Sequence, residues 1–292
     1  MSRDVVGRVA PWVQMHWDWR AAGNFIGGGT GTGLLIAVVA SGIAPAGGAV
    51  LLGLVSVVAG LLCVWAEIGR PWRALNVLRH PATSWMSREA LVAPLLVGCG
   101  LLAFASGLPA WRWATAACAA LYLYCQARML QGAKGIPAWR QPRAVPLMFV
   151  TGLAEGCGLL AAWSFVAGAA PGRLAVLLAL ACVARGAAWL AYRRGVHRDG
   201  APRAALAVLD ELHRPLLFAD GLAAVVALAA APGAIGWLAG LAGAAALANG
   251  WALKATLVLR AAYNQGFALV MAPERGVGGH GPAARPGWDP RG

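Results

Sequence analysis

Long apolar runs alternate along the chain with short stretches rich in charge, proline and glycine. That rhythm is the signature of a polytopic helical membrane protein. A helix needs about 20 apolar residues to cross a bilayer. Runs of that length predict eight spans, near 22–43, 48–68, 89–107, 111–131, 147–168, 172–193, 215–231 and 234–262. Eight spans make four hairpins, which group naturally into two four-helix bundles. The expected fold is all-α and integral to the membrane: an N-terminal interfacial segment (1–21), an eight-helix membrane domain (22–262) and a largely disordered C-terminal tail (263–292). The tail is rich in Gly, Pro and Arg without apolar periodicity. Asp4, Arg8, Asp18 and Arg20 interrupt the first residues, so no cleaved leader is expected. Before the seventh span Leu206, Leu209 and Leu212 recur at helical spacing among Asp210, Glu211 and His213, which predicts a short interfacial helix.

Composition narrows the class. Of 292 residues, 60% are hydrophobic and only 12% charged, against about half and a quarter in soluble domains. A soluble enzyme, a disordered chain and a secreted disulfide scaffold are excluded. Eight crossings place both termini and the 69–88, 132–146 and 194–214 loops on one face, which collects nearly all the Lys and Arg, whereas Arg112 and Arg173 fall on the other. By the positive-inside rule both termini are cytoplasmic, as in a bacterial inner-membrane protein. The net charge of +13 is thus a topology signal, with lipid headgroups rather than nucleic acid as its partner. Tryptophans such as Trp12, Trp17, Trp19, Trp72, Trp85, Trp139 and Trp163 mostly sit at predicted span ends, where indoles anchor.

The same inventory limits the cofactors. Cys63, Cys99, Cys118, Cys125, Cys157 and Cys182 all lie within spans and form no C-x-x-C pair, so no iron–sulfur cluster is expected. His16, His80, His197, His213 and His280 lie in termini, loops or span edges, which argues against haem or a bound metal.

Ionisable groups inside a bilayer are functional candidates by default. At a rise of about 1.5 Å per residue, Glu155 and Arg185 lie at similar depth on the fifth and sixth spans, and Asp220 and Lys254 on the seventh and eighth. Depth therefore predicts the pairs Glu155 with Arg185 and Asp220 with Lys254. Toward the cytoplasmic edge gather Arg20 and Asn24, Glu67 and Arg70, and Tyr122 and Tyr124. The first span carries glycines four apart at 23, 27 and 31, and at 29 and 33. Such bare faces ordinarily serve close helix packing; the alternative is a flat ligand lying against them.

Three segments carry a family resemblance: Asn24 through Leu35, Glu67-Ile68-Gly69-Arg70-Pro71-Trp72-Arg73, and Ser84-Trp85-Met86-Ser87-Arg88-Glu89. Together they resemble the membrane subunit of dimethyl sulfoxide reductase-type molybdoenzymes and its polysulfide- and nitrite-reductase relatives. The stretch from His16 to Asn24 is similar to the membrane subunits found with phenylacetyl-CoA:acceptor oxidoreductases. The resemblance implies a membrane anchor for a molybdopterin catalytic subunit and a ferredoxin-like iron–sulfur subunit, holding a ubiquinone or menaquinone site but no molybdenum of its own. Carried over by position, Asn24 and Glu67 are the expected quinone-side residues, and the 69–89 loop faces the cluster subunit. Where some relatives have a histidine, this chain has Gly27, so His16, Arg20, Tyr122 or Tyr124 are candidates to replace that donor. Gly27 and Gly28 would lie under the ring and Arg70 beside it. Glu67 is the expected proton-exchange group, since a carboxyl at the membrane edge can pass protons. The rival readings are a transporter using the intramembrane charges and a passive anchor without quinone chemistry.

Overall fold

The computed structural model describes residues 10–43, 46–67, 71–168, 172–232 and 236–266, with the strand pair 272–273 and 280–281. Among them are eight long helices: α1 (Trp19–Ser41), α2 (Gly47–Glu67), α3 (Trp85–Ser106), α4 (Pro109–Gly132), α5 (Ala144–Val166), α6 (Gly172–Arg198), α7 (Arg203–Ala230) and α8 (Gly236–Ala255). Seven are long and apolar enough to cross a membrane, and α4, which carries Arg112, Gln126 and Arg128, is the less apolar exception. The chain is an all-α, multi-pass membrane protein.

The helix ends follow from local chemistry. Asp18 caps α1 by accepting the backbone N–H of Arg20 at 2.8 Å, and the Arg20 side chain beside it holds the Asp18 carboxyl below its ordinary range. Ser84 caps α3 by accepting the N–H of Ser87 at 3.3 Å. Gly42 and Gly107 end α1 and α3 at φ of +67° and +66°, where a Cβ would be strained. The predicted interfacial helix over 204–213 is not separate. It is the first part of α7, which runs through Pro215 without a break. One missing backbone N–H is tolerated because Leu209 and Leu216 are buried on either side of the proline.

Helices α1 to α4 close into one ring by the contacts α1–α2, α2–α3, α3–α4 and α1–α4, and α5 to α8 close into a second. The rings meet along α1 and α5. Glycine makes these seams possible. A Cβ on Gly27 would stand 2.7 Å from the Ser56 carbonyl of α2, and one on Gly31 would stand 2.5 Å from the Gly53 carbonyl. On the other side of α1, Gly33 lies directly against Gly152 and Gly156 of α5. The two glycine rows of α1 therefore pack against two different helices.

A nine-residue 3-10 helix, Pro71–Arg79, and the one-turn helix Pro137–Arg140 occupy the loop end. The N-terminal strand-like segment is tied to the end of the bundle, with Gln14 N–H donating to Ala262 at 2.9 Å and Asn264 N–H to Trp12 at 2.9 Å. Tyr263 pairs with Val13. The start of the expected disordered tail is thus held by backbone hydrogen bonds, which the tail's composition does not signal. Of the remainder only the pair Ala272–Pro273 and His280–Gly281 is described, and residues 1–9 lie outside the described residues.

The seams predict unequal glycine tolerance. Gly33→Ala should destabilise the protein by about 1–3 kcal/mol through overpacking. Gly98→Ala, where nothing stands within 4 Å, should be neutral or gain about 0.5–1 kcal/mol of helix propensity. Unfolding of both variants in the same detergent checks the contrast, and equal behaviour would refute the α1–α5 seam.

Candidate functional site

Two polar clusters occupy the membrane-embedded interior. In the first, Lys254 of α8 and Glu155 of α5 form a salt bridge of 2.6 Å with both side chains fully buried. Lys254 also donates to the Phe25 carbonyl of α1 at 2.9 Å, and Thr30 of α1 donates to Glu155 Oε2 at 2.9 Å. Trp251 in turn donates to Thr30 Oγ1 at 2.9 Å. Arg185 of α6 grips Asp220 of α7 through Nε and Nη2 and donates to the Ala246 carbonyl at 2.9 Å. Asn249 adds a bond to Asp220 at 2.8 Å. Glycines make room for the charges: the Lys254 ammonium lies directly against Gly29, and a Cβ on Gly250 would stand 2.6 Å from Glu155 Oε1 and 2.7 Å from Arg185 Nη1.

These partners correct the sequence expectation. Glu155 pairs with Lys254 rather than Arg185, and Asp220 with Arg185 rather than Lys254. All four charges do converge in one region. Depth does not select the direct partner among four charges that share one region: Glu155 and Arg185 both reach the space beside Gly250 of α8, but the salt bridges close to Lys254 and Asp220.

The second cluster faces a cavity of about 500 Å³. Its walls are apolar: Val58, Leu61, Leu62, Val64 and Trp65 from α2, Ala74 and Val77 from the 3-10 helix, and Met86 and Ala90 from α3. The polar lining residues are Asn24 of α1 and Glu89 of α3, both buried. Asn24 Nδ2 reaches Glu89 Oε1 over a long 3.5 Å contact, and Asn24 Oδ1 has no partner among the described residues. Behind them Gln126 donates to the Asn24 backbone carbonyl at 2.9 Å, and the buried Tyr122 hydroxyl lies beside Glu89 without a well-formed hydrogen bond. Among the described residues Glu89 has no salt-bridge partner. The walls continue onto the outer surface of the bundle, where Val58, Leu62, Trp65 and Met86 are exposed.

The residues named from sequence distribute unevenly around this cavity. Asn24 lines it and Tyr122 stands next to it. Glu67 ends α2, half-buried and outside the lining, near Arg20, which pairs with Asp18 at 2.8 Å and donates to the Ala66 carbonyl at 3.2 Å. His16 is exposed, its backbone N–H held by Gln14. Tyr124 points to the surface, edge-on to Trp85, and accepts from Arg128 at 3.1 Å. Gly27 and Gly28 are covered by α2 and by the Gln126 side chain, so protein fills the bare face at these positions. Arg70 lies outside the described residues. Sequence reading assigned no role to Glu89 or Gln126. Glu89 stood at the first position of its predicted span, but α3 begins at Trp85, which carries the carboxyl a full turn inward.

No protein-family model matches the chain, and no curated protein matches it either.

The first cluster yields a prediction about coupling. Removing one member of a buried pair costs about 3–5 kcal/mol because the other charge is stranded. Glu155→Gln and Lys254→Met should each destabilise strongly, and the double variant should cost well under the sum. A double-mutant cycle on unfolding in detergent measures this. Coupling of Glu155 to Arg185 stronger than to Lys254 would overturn the observed pairing.

Proposed function

We propose that the chain is the quinone-reactive membrane anchor of an oxidoreductase complex, similar to the membrane subunits of dimethyl sulfoxide reductase-type molybdoenzymes. One observation carries the reading: an apolar cavity, open toward the lipid-facing surface of α2 and α3, with a buried carboxyl and a buried carboxamide as its polar lining. Quinones are flat and apolar except at two carbonyls. A site of this size and lining suits such a ring, and the exposed rim of Leu62, Trp65 and Met86 gives an isoprenoid tail a way to the bilayer.

The polar groups fit both oxidation states. Asn24 Nδ2 and the Tyr122 hydroxyl are donors to a quinone carbonyl, and the unpartnered Asn24 Oδ1 is an acceptor for a quinol hydroxyl. Converting quinone to quinol takes two electrons and two protons. In this reading the electrons come from a ferredoxin-like iron–sulfur subunit docked on the loop end, itself fed by a molybdopterin subunit, and the 3-10 helix that supplies Ala74 and Val77 separates that surface from the cavity. Glu89 delivers the two protons in turn, reprotonated from the cytoplasmic side between the two electron transfers, and Gln126 holds the α1 backbone that orients Asn24. The complex sits in the bacterial inner membrane, with eight crossings and both termini cytoplasmic, so protons and electrons arrive from one side.

Two measurements test the proposal. Glu89→Gln keeps shape but removes the exchangeable proton, and should lower quinone-linked turnover by about 10²-fold or more while dye-linked activity of the copurified complex stays intact. Glu67→Gln should have the smaller effect; the reverse order would move proton exchange to the end of α2. Asn24→Leu should raise the KM for quinone by roughly 5- to 150-fold, the equivalent of about 1–3 kcal/mol for an unpaired carbonyl. Equal loss of quinone- and dye-linked activity would favour a passive anchor. Reporter fusions after residues 45, 109, 170 and 232 should all report the periplasm, and a cytoplasmic signal from two of them would refute the topology.

A further inference from the structure

A second cavity, of about 620 Å³, lies at the loop end between α3 and α4 and differs in kind from the first. Its lining includes Thr83, Trp85, Arg128, Gln131, Lys134 and Arg140. We infer that it binds the phosphate group of an anionic phospholipid.

Three cations converge on one space, and among the described residues none of them forms a salt bridge. The acids of the described residues that form such bridges are engaged elsewhere: Asp18 with Arg20, Glu155 with Lys254, Asp199 with Arg198, Asp210 with Arg193, Glu211 with Arg260 and Asp220 with Arg185. The guanidinium groups are held in place before any ligand arrives. Arg128 lies over the Trp85 ring at 4.6 Å and donates to Tyr124 at 3.1 Å, while its buried Nε has no partner among the described residues. Arg140 donates to Gln265 Oε1 at 2.6 Å and to the Lys134 carbonyl at 3.4 Å. Converging like charges repel, and an anion with several acceptor oxygens relieves that repulsion. A phosphate offers the planar guanidinium a matching pair of oxygens.

The surroundings favour a lipid over a soluble phosphate. Tyr124 and Leu121 stand four and seven residues before Arg128, on the same face of α4, and are 36% and 51% exposed. An acyl chain attached to a phosphate in the cavity would lie along this apolar stripe. Basic pockets between helices at a membrane surface take anionic headgroups in this manner.

Native mass spectrometry of the purified, partly delipidated protein, titrated with phosphatidylglycerol, phosphatidylcholine or inorganic phosphate, tests the inference. The wild type should bind phosphatidylglycerol at least fivefold more tightly than Arg128→Gln or the double variant Lys134→Gln/Arg140→Gln, with no such difference for phosphatidylcholine. If Arg128→Gln fails to fold because its stacking on Trp85 is lost, the single variant of the exposed Lys134 carries the comparison. Saturation by inorganic phosphate as tight as by the lipid would replace the lipid with a soluble anion. Equal phosphatidylglycerol binding by wild type and variants would overturn the site, and loss of a copurifying protein with lipid binding unchanged would assign the cavity to an acidic partner segment instead.

Discussion

The close approach of α1 to its neighbours is the constraint on which both polar clusters depend. Helix α1 lies at the junction of the two rings, its backbone nearly touching α2 through Gly27 and Gly31 and α5 through Gly33. Because no side chains separate these backbones, residues between the glycines are placed by helix geometry within reach of several neighbours. Asn24 meets α3 and α4, while Phe25 and Thr30 meet Lys254 and Glu155. Without an aqueous hydrophobic drive between helices in lipid, packing and interhelical hydrogen bonds hold the bundle, and one helix here supplies both.

The buried charges follow from the same geometry. An ion in hydrocarbon is costly unless paired and hydrogen-bonded, and each of the four receives more than its opposite charge. Lys254 has a backbone carbonyl, Glu155 a hydroxyl, Arg185 a carbonyl and Asp220 a carboxamide. The pairs link α5 to α8 and α6 to α7, so charge pairing fixes which helices are adjacent within the second ring. Such a network specifies an arrangement more than it adds stability.

Much of this was legible along the chain. Apolar run length located the long helices to within a few residues, apart from the extensions of α6 to Arg198 and of α7 back to Arg203, where charged residues continue a helix beyond the apolar stretch, and the end of α8, which stops at Ala255 and continues as a π-helical turn over Thr256–Arg260. The spacing of Gly23, Gly27 and Gly31 indicated a packing face. Partner choice was not legible, because Glu155 and Arg185 both reach the space beside Gly250 while their direct salt bridges go to Lys254 and Asp220, and helix rotation is set by contacts between distant segments. Glu89 was obscured by a boundary: four residues separate the predicted and observed starts of α3, and that turn decides whether a carboxyl stands at the membrane edge or faces a cavity. Glu67 is the converse, a carboxyl at a helix end that the cavity does not reach.

The contrast between the clusters is what directs attention to one of them. Around Glu155 and Asp220 the carboxyls are tied to cations and screened by protein, a state that resists change because moving one proton strands a charge. Around Glu89 the carboxyl has no salt-bridge cation among the described residues, its neighbours Asn24 and Tyr122 hold unused hydrogen-bonding capacity there, and an apolar space opens in front of it. Buried polar atoms left unsatisfied cost free energy, and a ligand with polar atoms at the right places recovers that cost on binding. The same deficit that weakens the fold locally is therefore a source of binding energy for an apolar molecule with a carbonyl or hydroxyl at its tip. Glu155 Oε1 also lacks a hydrogen-bond partner among the described residues, but its carboxyl is neutralised by Lys254 and closed in by protein; the Glu89 carboxyl differs in facing a lipid-side opening, and that is where chemistry can take place.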